Sequence, residues 1–261
     1  MDPAILVLAG RRSAATDPLA ARAGVTHKAM VPVGGEPMLG RVLRIAEEAY
    51  PAAGLYVSVD DPDAVASEPT VARLLGAGRL RILPARANIV DSVVEASGAT
   101  GFPLLITTAD NVLMTPEGMR AIVAAGAERK ADAIAMMAER ADILAAHPDG
   151  QRRFYAFRGG AYSNCNLFWL GSDRALKATD SFRLGGQFAK HKRRAVKALG
   201  LATLFLYVSR LLTLEGMFAH LSRRFGVRIR PLVTSDGRLA IDVDNERTFG
   251  VAEELLARGA G

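Results

Sequence analysis

Short apolar runs alternate with segments of helical hydrophobic spacing through the first 140 of the chain's 261 residues. Apolar stretches at residues 4–9, 55–59, 80–83, 103–108 and 132–137 predict strands, because a strand covered on both faces needs no polar alternation. Residues 38–50, 63–75, 89–98 and 116–127 predict the helices between them. In the first of these, Leu39, Val42, Leu43, Ile45, Ala46 and Ala49 form one face, with Arg41, Arg44 and Glu48 on the other. Strands and helices in this order predict an α/β fold: a mostly parallel, mixed sheet in a Rossmann-like three-layer α/β/α sandwich. Ligands of such sheets gather beyond the carboxyl ends of the strands. Gly10 and Asp110 both fall there.

The pattern changes after residue 140. His147-Pro148-Asp149-Gly150 reads as a turn, and residues 154–157 and 162–170 predict strands, in antiparallel arrangement. A basic helical stretch spans 187–225. A strand at 227–233, a turn at Ser235-Asp236-Gly237, a strand at 239–243 and a helix from about residue 245 complete the chain. No internal repeat or clear linker separates the halves. The natural division is an α/β half (1–140) merged with a smaller second half (141–261).

Half of the residues are apolar and the charged 23% are spread along the chain, which allows a large core and excludes bulk disorder. The formal charge of +6 and a pI near 9.8 favour anionic partners without choosing among nucleotides, phosphorylated metabolites, nucleic acid and acidic membranes. A lone cysteine, Cys165, excludes an intrachain disulfide and a multi-cysteine metal site. With no secretion pattern at the start, a cytoplasmic location is expected. The apolar stretch at 198–209 ends at Arg210, well short of the ~18 to 20 residues that a membrane span needs.

The candidate chemistry begins where the first strand, ending Leu8-Ala9, runs into Gly10-Arg11-Arg12. A glycine at a strand end allows positive φ and close approach of backbone to ligand, and the arginines add charge for phosphates; taken alone, the same residues equally suit a surface turn with two solvated arginines. Neither the dinucleotide G-x-G-x-x-G turn nor a G-K-[ST] phosphate loop is present. Lys28 returns to this region ahead of an apolar run, Gly34-Gly35-Glu36-Pro37, and a helix. At Leu104-Leu105-Ile106-Thr107-Thr108-Ala109-Asp110, a carboxylate stands just past an apolar strand, where desolvation without a partner is costly. A hard divalent cation satisfies it, and capping of the next helix is the other use of such an aspartate. In Ile241-Asp242-Val243-Asp244, strand alternation puts both carboxylates on one face, where they repel unless a cation lies between them. Asp244 equally suits the cap of the last helix. Asn164 and Asn166, beside Gly159-Gly160, suit either hydrogen bonding to a hydroxylated acceptor or a polar hairpin. Lys190, Lys192, Arg193, Arg194 and Lys197 fit a solvated helix face, a phosphate clamp or an anionic membrane surface.

Leu8-Ala9-Gly10, Arg11/Arg12, Lys28 and Gly35-Glu36-Pro37 together resemble the GT-A-like nucleotidyltransferases with a MobA-like NTP transferase domain. These include molybdenum-cofactor guanylyltransferases, methylerythritol-phosphate cytidylyltransferases and sugar-phosphate nucleotidyltransferases. The resemblance implies a cytoplasmic Mg2+-dependent enzyme that transfers a nucleoside monophosphate from a triphosphate to a phosphorylated small molecule, sugar or alcohol, with pyrophosphate released and no nucleic acid involved. It makes Lys28 and one of Arg11 and Arg12 phosphate contacts, with Leu8, Ala9 and Gly10 lining the nucleotide. It makes Asp110, Asp242 and Asp244 metal contacts, with Asp244 shared or structural. Asn164 and Asn166 then face the acceptor. Asp91-Ser92-Val93 after Asn88 is similar to the base-reading helix start of the cytidylyltransferases, which inclines the choice to CTP over GTP. The family's usual second glycine is replaced by Arg11. Two rivals remain: a glycosyltransferase using a nucleotide sugar, disfavoured by Thr108 where its D-x-D motif begins, and a non-catalytic membrane-associated nucleotide-binding module.

Overall fold

The structure, a computed structural model, describes residues 2–11, 17–179 and 192–259, with the side chains of 178–179 and 192–199 excepted. In chain order its elements are β1 (Ala4–Leu8), α1 (Pro18–Arg22), the hairpin β2 (Pro32–Val33) and β3 (Glu36–Pro37), α2 (Met38–Ala49), β4 (Leu55–Val59), α3 (Asp63–Ala66), α4 (Pro69–Gly76) and β5 (Leu80–Pro84). Next come α5 (Ile89–Thr100), β6 (Leu104–Thr108), α6 (Pro116–Glu128), β7 (Ala133–Glu139), α7 (Arg140–Ala146), β8 (Tyr155–Phe157), β9 (Gly160–Leu170) and α8 (Leu176–Thr179). Last are α9 (Lys192–Val208), α10 (Leu214–Phe225), β10 (Ile229–Thr234) and α11 (Glu246–Gly259).

The apolar runs assemble into one sheet of order β10-β7-β9-β6-β1-β4-β5, with β8 paired to β9. β1 is central, parallel to β4 on one side and β6 on the other, so that Ile5 lies beside Leu55 and Leu105. All three side chains are fully buried. β9 runs antiparallel between β6 and β7. The fold is therefore the expected α/β sandwich with a mixed, mostly parallel sheet. One face of the sheet packs residues from α2, α4, α6 and α11, and the other packs Val93 and Ala96 of α5 together with Ala175. β9 and β10, from the second half of the sequence, hydrogen-bond to strands of the first half within this single sheet.

Three elements depart from the sequence pattern. The helix expected at 63–75 is broken before Pro69, which lacks an N–H; the Glu68 carboxylate caps α4 by accepting from the Val71 amide at 2.7 Å. Within the helical stretch expected at 187–225, α9 breaks at Gly200 (φ 77°, ψ 157°), and α10 starts afresh on the Thr213 cap. The strand expected at 239–243 is absent: Gly237–Ala240 forms a 3-10 turn, and the residues after it join no ladder. Their hydrogen bonds go elsewhere, because the Val243 amide donates to the Asp110 carbonyl at 3.0 Å, tying this segment to the loop after β6.

Candidate active site

Parallel strands β1, β4, β5 and β6 all end at one edge, and antiparallel β9 starts there, so the loops carrying the candidate residues converge. At the tip of β1, the Ala9 amide donates to Ser58 and the Leu8 carbonyl accepts from Ala109, which fixes the strand end against both neighbours. Gly10 is required for a different reason from the one expected. Its φ is not in the positive region; a Cβ there would come within 2.8 Å of the Ala85 Cβ, so the chains meet at a distance only glycine permits.

Asp110, Asp242 and Asp244 each bring a carboxylate oxygen within 4.8 Å of the others. Asp110 comes from the loop after β6. The other two come from the extended segment after the 3-10 turn, where buried Ile241 and Val243 alternate with them. The alternation read from the sequence thus survives without a strand ladder. Lys28 Nζ lies 3.1 Å from Asp110 and 3.4 Å from Asp244. Burial alone would lower the lysine's pKa, but these two carboxylates outweigh it and raise it. Asp242 is shifted upward by burial first and then by the charges of Asp110 and Asp244. One lysine therefore does not neutralise the triad. The Asp110 Oδ1 is buried and has no hydrogen-bond partner. An orphaned carboxylate oxygen within a crowded set of three suits a hard, oxygen-seeking divalent cation, so the residues fit one.

Asn166, at positive φ (48°), donates to Asp242 at 3.2 Å and is held in turn by Asn164 at 3.0 Å. The two amides thus link the start of β9 to the acidic group. Asn88 and Ser92 stand beyond β5. Asn88 caps α5, its side-chain oxygen accepting from the Asp91 amide at 3.0 Å, and the Ser92 hydroxyl accepts from the Arg86 amide at 2.8 Å. Both order the 85–88 loop. Buried Asn111 donates to the Cys165 carbonyl at 2.7 Å, fixing the Asp110 loop to β9. Burial pushes the Cys165 thiol pKa up, with Asp236 and Asp242 adding to it, so this thiol stays protonated.

A second cluster at the same edge escaped the sequence reading. Asp60, just past β4, accepts from the Arg11 amide at 2.9 Å and the Arg11 guanidinium at 2.5 Å, and Asp61 lies 3.6 Å from that guanidinium. Buried His27 completes the group. Its Nδ1 accepts from the Ala29 amide at 3.1 Å, which leaves Nε2–H to donate to Asp60 at 3.3 Å. Burial would raise the Asp60 pKa, but the hydrogen bonds from Arg11 and His27 prevail and hold it at about 2. The available signal was Asp60-Asp61 at the end of a predicted strand and a histidine beside Lys28. Arg11 is thus engaged by carboxylates, while Arg12 lies outside the described residues, as does Lys190.

A family model described as the MobA-like NTP transferase domain matches residues 5–198. The chain belongs to this family. A hypothetical transferase structure from Thermus thermophilus is similar at 25% identity and TM-score 0.76, over 95% of this chain and 100% of that one. A CMP:2-keto-3-deoxy-manno-octonic acid synthetase complexed with CTP shares the fold at 14% identity and TM-score 0.61, over 98% of each chain. So does a 2-C-methyl-D-erythritol 4-phosphate cytidylyltransferase, also from Thermus thermophilus, at 15% identity and TM-score 0.53, over 98% of this chain and 100% of that one. No curated protein matches the chain significantly. Among this family member's described helices, none is long and apolar enough to cross a membrane.

Proposed function

We propose that this nucleotidyltransferase-family chain moves a nucleoside monophosphate from a nucleoside triphosphate, with CTP ahead of GTP, to a phosphorylated small-molecule, sugar or alcohol acceptor. An acceptor phosphate oxygen attacks the α-phosphorus, the bond between the α-phosphorus and its bridging oxygen to the β-phosphorus breaks, and pyrophosphate leaves with the electron pair. The carrying observation is the Asp110–Asp242–Asp244 group with Lys28 against it, at the sheet edge beside Gly10.

The attacking phosphate is already ionised, so the residues need to align and neutralise more than to move protons. Asp110, Asp242 and Asp244 would hold Mg2+, which supplies charge neutralisation on the triphosphate when bound. Lys28, fully protonated, exchanges carboxylate partners for phosphate oxygens as the nucleotide enters. The backbone of Leu8, Ala9 and Gly10 forms the floor beneath the nucleotide. Arg11 holds the start of the following loop through Asp60, and the 85–88 loop, ordered by Asn88 and Ser92, is the wall for the base. Asn164 and Asn166 face the acceptor side and hold Asp242 in register.

Pyrophosphate release tests this reading. The wild-type chain, given Mg2+, CTP and a panel of phosphorylated sugars and alcohols, is expected to release pyrophosphate. Asp110→Ala is expected to lose turnover by about a hundredfold or more. An undiminished rate in that variant, or release of nucleoside diphosphate instead, overturns it.

A further inference from the structure

Beyond the break at Gly200, α9 turns an apolar stripe to solvent. Leu201, Phe205 and Val208 are 73%, 65% and 69% exposed and recur along one helical face, and Leu211, just past the helix end, is 51% exposed. The helix is fixed in this orientation by its other side. Thr203 is buried and bonded to His220 at 2.9 Å, and the Tyr207 ring packs edge-on against Phe157 at 5.8 Å.

The segment that carries the stripe is strongly basic in sequence. Residues 187–230 contain ten of the chain's 33 basic residues and, in Glu215, one of its 27 acidic ones. Arg210, Arg223 and Arg224 are exposed among the described residues, and the last two line a cleft of about 470 Å3 with Ala202, Thr203 and His220. Lys192, Arg193, Arg194 and Lys197 lie on the first half of the same helix.

We propose that the α9–α10 face docks on an anionic lipid bilayer, with Leu201, Phe205, Val208 and Leu211 entering the interface and the arginines meeting headgroup phosphates. An exposed apolar stripe flanked by cations is the pattern of helices that lie in a membrane surface. A second copy of this chain is the poorer occupant, since a two-fold contact sets this basic segment against itself. The inference is independent of the transfer reaction.

Sedimentation of the full chain with vesicles tests it. Binding is expected to phosphatidylcholine vesicles containing phosphatidylglycerol, to weaken with added salt, and to be lost on pure phosphatidylcholine. The R223A/R224A pair is expected to bind about thirtyfold more weakly. Leu201→Ser with Phe205→Ser is expected to abolish binding at any salt, with an unchanged thermal unfolding midpoint confirming the fold. No binding of the wild-type chain to anionic vesicles overturns the proposal and leaves an acidic protein partner. Binding that survives both double variants overturns it too. So does a wild-type dimer, seen by sedimentation velocity, that the Leu201/Phe205 variant dissociates.

Discussion

Asp242 carries the sharpest conflict between stability and activity at the level of single residues. Its folded pKa lies above the unfolded value, so the native state binds the extra proton and stability falls as pH rises through that window. With a chelator present at neutral pH, Asp242→Asn is therefore expected to raise the thermal midpoint by about 2 to 4 °C, the shift that about 1 kcal/mol gives in a chain of this size. The same variant is expected to lose pyrophosphate release; a fall in the midpoint would contradict repulsion within the acidic group. Asp60 has the opposite sign. Its folded pKa of about 2 lies below the ordinary 3.8, so the stability it contributes is full above the unfolded value and is lost as pH falls toward 2. Asp60→Asn is expected to cost about 1 to 2 kcal/mol at pH 7, allowing for solvent screening, with the gap from wild type closing in acid. Urea unfolding at pH 7 and pH 3 measures it.

Among the elements, the 3-10 turn at Gly237–Ala240 does what the expected strand was meant to do, which is to deliver Asp242 and Asp244 to the site. It can pack there because Gly237 lies directly on the backbone of Asp142 at the start of α7, where a Cβ would overlap the Asp142 carbonyl. Gly237→Ala is thus expected to destabilise the fold by about 1 to 3 kcal/mol and to depress turnover as the turn shifts. Chemical denaturation beside the pyrophosphate assay checks both effects. The α6 cap is a local device: the Thr115 hydroxyl accepts from the Gly118 amide at 3.1 Å, and Pro116 takes the first helical position. Thr115→Ala is expected to cost about 1 kcal/mol in the same denaturation experiment, with activity kept.

For the molecule as a whole, an ion held by the acidic group would couple folding to ion binding. Mg2+ or Mn2+ is expected to raise the thermal midpoint of the wild-type chain and not that of Asp110→Asn, as mass action requires of a ligand bound only by the native state. An equal rise in both would place the ion elsewhere. Much of this architecture follows from local pattern. Runs such as Leu104-Leu105-Ile106 bury themselves whatever their neighbours, so the sequence by itself determined the parallel strands, most of the helices, and the carboxyl-end positions of Gly10 and Asp110. It also determined that Asp242 and Asp244 share a face, because alternation is a property of extended backbone, with or without a partner strand. Only the tertiary structure decided which strands are neighbours, that β9 runs antiparallel between β6 and β7, and that Asp60 and His27 close on Arg11. Only it turned 239–243 into a turn and an unpaired segment. Those outcomes depend on backbone and carboxylate groups finding partners far along the chain, and that choice is made by packing, not by local sequence.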